Sequence, residues 1–401
     1  MKLSLRLLIA GTGVLALSAA GCSSSNGPVG QGVSPPPGAT ARSATAPPGA
    51  TAPPVRLGDW AAATSAAEGG GLPALIAAAK KEGALNVIAL PPTWANYGTI
   101  MKTFSRRYGI KVNSISPGAR SAQEIAEITS GQVSAQAADV LDVEMSDAVV
   151  HSKLFAPYRV ATWDAIPANQ KAADGSWVQD YGGFMSIGYN SARFGMITSI
   201  RQLLGPRFAG AVALDGNPAQ ARAALYGVMM ANLALGGTPA SVASGVTFFR
   251  KLKAAGNFVA VQATTALTIE AGSTPVVFNW DYLNTAAIVG QPGKSWKVFI
   301  PPGAAVGVFN AQAINKDAPH PAAARLWEEF LYSEARHGGQ NLWLEGGVRP
   351  VEQAAMIANG TVDRAASRSL PPVPSRPVFL TPGQAARAAA YLHANWSRAV
   401  G

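Results

Sequence analysis

The chain has 401 residues, 48% apolar and 13% charged, enough to bury a large core in about two domains and too apolar for a disordered chain. Its 42 Gly and 29 Pro lack the strict period of a collagen-like sequence. Its 32 Lys and Arg against 22 Asp and Glu give a formal charge of +10, scattered singly rather than gathered into the stripe a nucleic-acid partner needs.

The N-terminus carries its own signal. Lys2 and Arg6 precede an apolar run from Leu7 to Leu17, and small residues lead into Cys22, the single Cys. This reads as a secretory signal over residues 1–21 rather than a spanning helix. A lone Cys also excludes an intramolecular disulfide framework and a cysteine-based zinc cluster. Residues 22–57 hold that Cys and a Pro/Gly/Ala/Thr-rich tether that repeats Pro-Pro-Gly-Ala-Thr at residues 36–40 and 47–51. With nothing apolar to bury it is read as disordered, and it could reach roughly 100 Å at about 3.1 Å per residue.

From residue 58 on, helical and strand patterns alternate. Leu72, Leu75, Ile76 and Ala79 have helical spacing ending at Gly83, and a buried strand is expected over Leu85–Leu90. A helical stripe from Tyr97 to Tyr108 stops at Gly109, before a strand at Lys111–Ile115. Ser121 and Glu124 form a capping box opening the next helix. A strand at Ala138–Met145 and a helix from Ser146 to about Leu154 complete a parallel α/β unit. The pattern restarts with strands at Gly182–Tyr189 and Val212–Leu214, then a helix capped by Asn217-Pro218 and running to about Leu235. Further strands are expected at Phe258–Val261, Pro275–Asn279 and Lys297–Ile300, and helices at Pro321–Leu331 and Glu334–Leu344. The resulting division is a mainly first lobe over 58–185, a mainly second lobe with hinge crossovers over 186–285, and returning strands and C-terminal helices over 286–401.

Several chemistries are excluded. Gly293-Lys294-Ser295 has the end of a phosphate-binding loop, but Ile288 stands where its first Gly is required. No G-x-S-x-G elbow occurs. His151, His320, His337 and His393 lie far apart without i, i+4 pairing and are read as surface residues, so no metal site is expected. Asp139, Asp142, Glu144 and Asp147 make only a weak signal for paired catalytic carboxylates, because alternation divides them between strand faces. No catalytic residue and no cofactor is expected.

In parallel sheets ligands sit beyond the carboxyl ends of strands. The loops there carry Trp94, Asn96 and Tyr97 after the first strand, Arg120 and Ser121 after the second, Glu144 and Ser146 after the third, and Trp280, Asp281 and Tyr282 after the Pro275 strand. Aromatic faces beside carboxylates suit an amine, through cation–π contact and charge-assisted hydrogen bonds. Asn217 is read first as a helix cap.

The stretches LPPTWANYG (90–98), YGIKVNSISPGA (108–119), ADVLDVEMSDA (138–148), FAPYRVATWDAIP (155–167), DGSWVQDYGG (174–183), TPVVFNWDYLN (274–284) and APHPAAARLWEEFLYSE (318–334) carry a resemblance. From about Gly83 to Pro350 the chain resembles bacterial extracellular solute-binding proteins of ABC importers, in particular the spermidine/putrescine-binding branch. The segment before Cys22 likewise resembles a bacterial lipobox, which implies a diacylated Cys22 at the outer face of the cytoplasmic membrane. The family resemblance implies an α/β, two-lobed type II periplasmic-binding-protein fold, each lobe a mostly parallel sheet flanked by helices. It further implies a monomer that closes around a polyamine-like solute and hands it to a permease served by a separate ATPase. Trp280 and Asp281 would give a Trp face and an amine-binding carboxylate, Trp94 and Tyr97 the first-loop aromatics, and Asp180 and Tyr181 the cleft floor.

Arg120 departs from the family, which places small residues there. Either it points to solvent or the ligand has an anionic as well as a cationic end, as an amino acid or aminophosphonate does. Ferric binding is disfavoured because the adjacent Tyr-Tyr pair of such relatives is missing. Two readings of other classes remain, a surface lipoprotein hydrolase and a wall-adhesion protein.

Overall fold

The computed structural model describes residues 58–130, 134–259, 266–289 and 295–401. All belong to one compact unit, Pro54–Gly401, while the expected signal, Cys22 and the tether lie outside the described residues.

The first lobe is laid down as α1 (Leu72–Glu82), β1 (Ala84–Ile88), α2 (Tyr97–Tyr108), β2 (Lys111–Ile115), α3 (Ser121–Thr129), β3 (Val140–Val143), α4 (Met145–Val150) and β4 (Phe155–Ala156). Gly83 ends α1 at φ 73°, the left-handed region where a side chain is strained. β1 pairs in parallel with β2 and β3, and its buried run suits a strand covered on both faces. The chain continues as β5 (Val178–Asn190), α5 (Ser191–Phe194), β6 (Val212–Leu214), α6 (Arg222–Ala234), α7 (Ala243–Ala254), α8 (Ala266–Glu270), β7 (Val276–Trp280), α9 (Asp281–Val289) and β8 (Trp296–Phe299). It returns through β9 (Val306–Asn315), α10 (Pro321–Leu331), α11 (Gly339–Glu345), β10 (Arg349–Pro350), α12 (Gln353–Asn359), α13 (Arg364–Ser367), β11 (Val378–Phe379) and α14 (Pro382–Val400).

Strand order is β2-β1-β3-β9-β5-β7-β6. The outer strands of each lobe run parallel, and β9 and β5 join them antiparallel. β5 pairs with β9 through its first half and with β7 and β8 through its second, so it passes from one lobe to the other without a break. Two cores flank this crossing. The first gathers Phe104, Trp327 and Phe330, ring centroids 5.1 and 5.6 Å from Phe104. The second gathers Met229, Phe249, Phe278 and, from α14, Trp396. Burying each such side chain contributes about 1.5–3 kcal/mol.

Four expectations are corrected. Ser121 is the first residue of α3 rather than its cap: Gln123 Oε1 accepts from Arg120 N (2.9 Å), and Glu124 turns inward to accept from Asp142 N (3.0 Å). Asn217-Pro218 forms a turn, with Asn217 Oδ1 accepting from Ala219 N, and α6 begins only at Arg222. The helix expected from Glu334 begins at Gly339. His320 is half-buried, its Nδ1 2.9 Å from Asp139 Oδ2. Of the strand expected at Phe258–Val261, Phe258 bridges Val212, and residues 260 and 261 lie outside the described residues. β9, α7 and α14 were not anticipated.

Candidate functional site

The carboxyl ends of β1, β3, β6 and β7 converge beside the crossing strands. In the loop after β1, Ala89, Ala95 and Asn96 hold positive φ (58°, 47° and 63°), strain of the kind that gathers at binding sites. Asn96 Nδ2 donates to Leu342 O at 2.7 Å, which fixes the loop to α11. Trp94, 42% exposed, stands out from it: its indole Nε1 donates to Tyr181 Oη (3.0 Å), and its ring meets Tyr282 of α9 edge-on at 6.3 Å. The first-loop Trp thereby touches the second lobe.

Beneath Trp94 lies a floor of carboxyls and hydroxyls. Tyr97 Oη donates to Asp142 Oδ2 at 2.9 Å, with Tyr181 Oη 3.3 Å from the same oxygen. Gln312 of β9 donates to Asp180 Oδ2 (2.9 Å) and Tyr97 Oη (3.1 Å). Burial pushes the Asp142 carboxyl up to about 7 and Glu124 up to about 9, and raises Asp180, where desolvation is reinforced by the charge of Asp142. Asp180 and Tyr181 belong to this network and are almost wholly buried.

A cavity is bordered by the end of β3 and the start of α6, and none of Trp94, Tyr97, Asp180, Tyr181 or Tyr282 lines it. Ser121 Oγ accepts from Glu144 N (2.9 Å), holding the strand end in place. Glu144 Oε2 reaches across to Arg222 Nη1 of the second lobe at 3.0 Å, both side chains nearly half exposed. The pair borders this cavity of about 400 Å³, whose lining includes Ser146, Gln220, Tyr226, Val308 of β9 and Ala386 of α14. That volume lies within the range of small-molecule sites. Trp280 sits one layer back, its ring 5.5 Å from Tyr226. Among the described residues no group of three or more His, Cys, Asp or Glu is placed to hold a metal, and no helix is long and apolar enough to cross a membrane.

Asp281 is the principal correction. It is fully buried, its Oδ2 2.5 Å from Arg349 Nε, and its Oδ1 accepts from Phe184 N and Tyr282 N, both 3.0 Å. Gly183 permits the approach, since a Cβ there would stand 2.6 Å from Asp281 Oδ1. A carboxylate so enclosed locks α9 to β5 and β10 and offers no oxygen to a solute. Arg120 is exposed and lies outside the cavity lining, while Asn217 makes its turn beside Pro218, which does line it. Sequence reasoning missed Arg222, Tyr226 and Gln312.

Residues 132–370 match the profile of the family described as bacterial extracellular solute-binding protein. None of the curated proteins compared matches the chain. Among solved structures, a Bordetella parapertussis protein described as an extracellular solute-binding protein is similar at TM-score 0.66 and 14% identity, over 80% of this chain and 100% of that one. Iron-bound HitA from Pseudomonas aeruginosa gives 0.57 and 19%, over 78% and 99%. AgtB from A. tumefaciens R10 in complex with agropinic acid gives 0.55 and 18%, over 79% and 98%. With two α/β lobes about a crossing-strand hinge and more than half of its length matched, this chain belongs to the bacterial extracellular solute-binding proteins, the extracytoplasmic solute-binding components of ABC transport.

Proposed function

We propose that the chain is a lipid-anchored receptor, tethered through Cys22, that captures a small amine-containing solute in the cleft and delivers it to a membrane permease. The solute is a zwitterion. The observation that carries this is the Glu144–Arg222 pair: opposite charges from opposite lobes, 3.0 Å apart at the edge of a 400 Å³ cavity. An ammonium placed on Glu144 and a carboxylate or phosphonate on Arg222 exchange this pair for two, and each is charge-assisted. A polyamine-like solute such as putrescine is the second reading, favoured by Glu144. Arg222 opposes it, since a second ammonium would meet a guanidinium.

Calorimetry on the chain from Pro54 with leucine, 2-aminoethylphosphonate, putrescine and spermidine decides between them. A zwitterion is expected to bind, and at about 100 times its Kd to stabilise the protein by about 2.7 kcal/mol; Arg222→Met should abolish the binding. Binding of putrescine alone, retained or tightened by Arg222→Met, would establish the polyamine reading instead. No binding by any of the four would refute both.

A further inference from the structure

The cavity is not uniformly polar. Glu144, Ser146, Gln220 and Arg222 line it, and so do the apolar side chains of Leu225, Val308 and Leu380. There the wall is completed by α14, whose Ala385, Ala386 and Ala389 face the cavity. Ala389 is three residues from Ala386 and four from Ala385, so they share one face of the helix. The adjoining side of the helix buries Ala388, Leu392, Trp396 and Val400 in the second-lobe core, with the Trp396 ring 5.6 Å from Phe249 of α7. Its start is equally fixed. Thr381 and Gln384 cap each other's backbone amides (3.2 and 2.9 Å), Pro382 occupies the first turn, and β11 just before it pairs with Val306 and Gly307 of β9. The wall is therefore a rigid surface of methyl groups, held to the hinge strand and to the second lobe. It lies wholly beyond residue 370, where the family match ends.

We propose that α14 is a specificity element: the solute is a zwitterion bearing an apolar substituent, and the alanine face of α14 leaves the room that substituent occupies. This rests on the zwitterion reading above and goes beyond it, because Glu144 and Arg222 would hold glycine as well as leucine. The free energy of binding is to grow with the apolar area placed against α14, while the charged end only orients the ligand. A side chain longer than a methyl at positions 386 or 389 would project into that space and take it from the ligand.

The test is calorimetry with glycine, leucine, phenylalanine and putrescine on the chain from Pro54, its Ala386→Phe and Ala389→Phe variants, and the unliganded melting temperature of each. Both alanines are exposed, so the variants are expected to melt with the wild type. Leucine or phenylalanine should bind on the order of 100-fold more tightly than glycine. At least one variant should weaken leucine and phenylalanine by tenfold or more and leave glycine unchanged. Should glycine and leucine bind equally, or both variants bind leucine as the wild type does, α14 is not the selecting wall although the zwitterion reading stands. Should none of the amino acids bind, the α14 proposal falls; should putrescine alone bind, both readings fall together.

Discussion

Asp281→Asn removes one charge from a pair with no access to water. Arg349, 1% exposed, then keeps its guanidinium against an amide, with Gln353 Oε1 (2.9 Å), the Pro371 carbonyl and the Phe184 ring, centroid 5.4 Å, as its remaining neighbours. None of these carries a negative charge. Breaking one side of a buried pair costs about 3–5 kcal/mol, because the other charge is left uncompensated. Unfolding entropy of about 2.1 cal/mol/K per residue amounts to about 0.7 kcal/mol/K over the folded part, so the melting temperature should drop by about 4–7 °C. The double variant Asp281→Asn/Arg349→Met should recover part of that loss, since it removes the orphaned cation as well. Differential scanning calorimetry reads the stability and titration calorimetry the affinity, which should stay within a few-fold of wild type for whichever solute binds. A variant that melts with the wild type but loses its solute by orders of magnitude would return Asp281 to the cleft and refute the structural assignment.

Glu124 makes stability depend on pH. Its buried carboxyl, raised from 4.5 to about 9, binds in the folded state a proton that the unfolded chain releases, so its contribution is complete below about pH 4.5 and lost as pH rises through about 9. Wild type should melt at progressively lower temperature from pH 5 to pH 9, and Glu124→Gln, which can still accept from Asp142 N, should flatten that slope; equal slopes by thermal scanning would count against it. Cys22→Ser should release the protein from the membrane fraction with solute affinity unchanged. A variant still partitioning into detergent after signal removal would contradict the anchor.

The alternation of helix and strand was legible because each element carries its own period and stop signals: Gly83 and Gly109 end α1 and α2 where expected, and β2, β6 and α10 fall on their anticipated residues. β9 was missed because Asn310 and Gln312 interrupt its apolar run; their amides serve the hinge network, which a pattern of burial alone cannot foresee. Asp281 was misassigned for a related reason. Its position after a strand is local information, but its partner Arg349 comes 68 residues later, and the choice between cleft and interior is made by that partner. Trp94 stands exposed in the loop after β1 that the sequence singled out, whereas Arg222 was not foreseen, because the turn at Asn217–Gln220 delays the helix and turns its first cation toward Glu144.

Two of the connections between the lobes, β5 and β9, are continuous strands, and this bears on the mechanics of opening. A loop hinge swings freely and stores little energy, but β5 stays hydrogen-bonded through both sheets and yields only by twisting. The ladder is irregular at the register shift between Gln179 and Gly182, where a Cβ on Gly182 would fall 2.0 Å from Val308 O. Opening would therefore twist that ladder rather than swing a free hinge. Every degree of opening draws on the elasticity of the ladder, and relaxation returns the lobes along the path by which they parted.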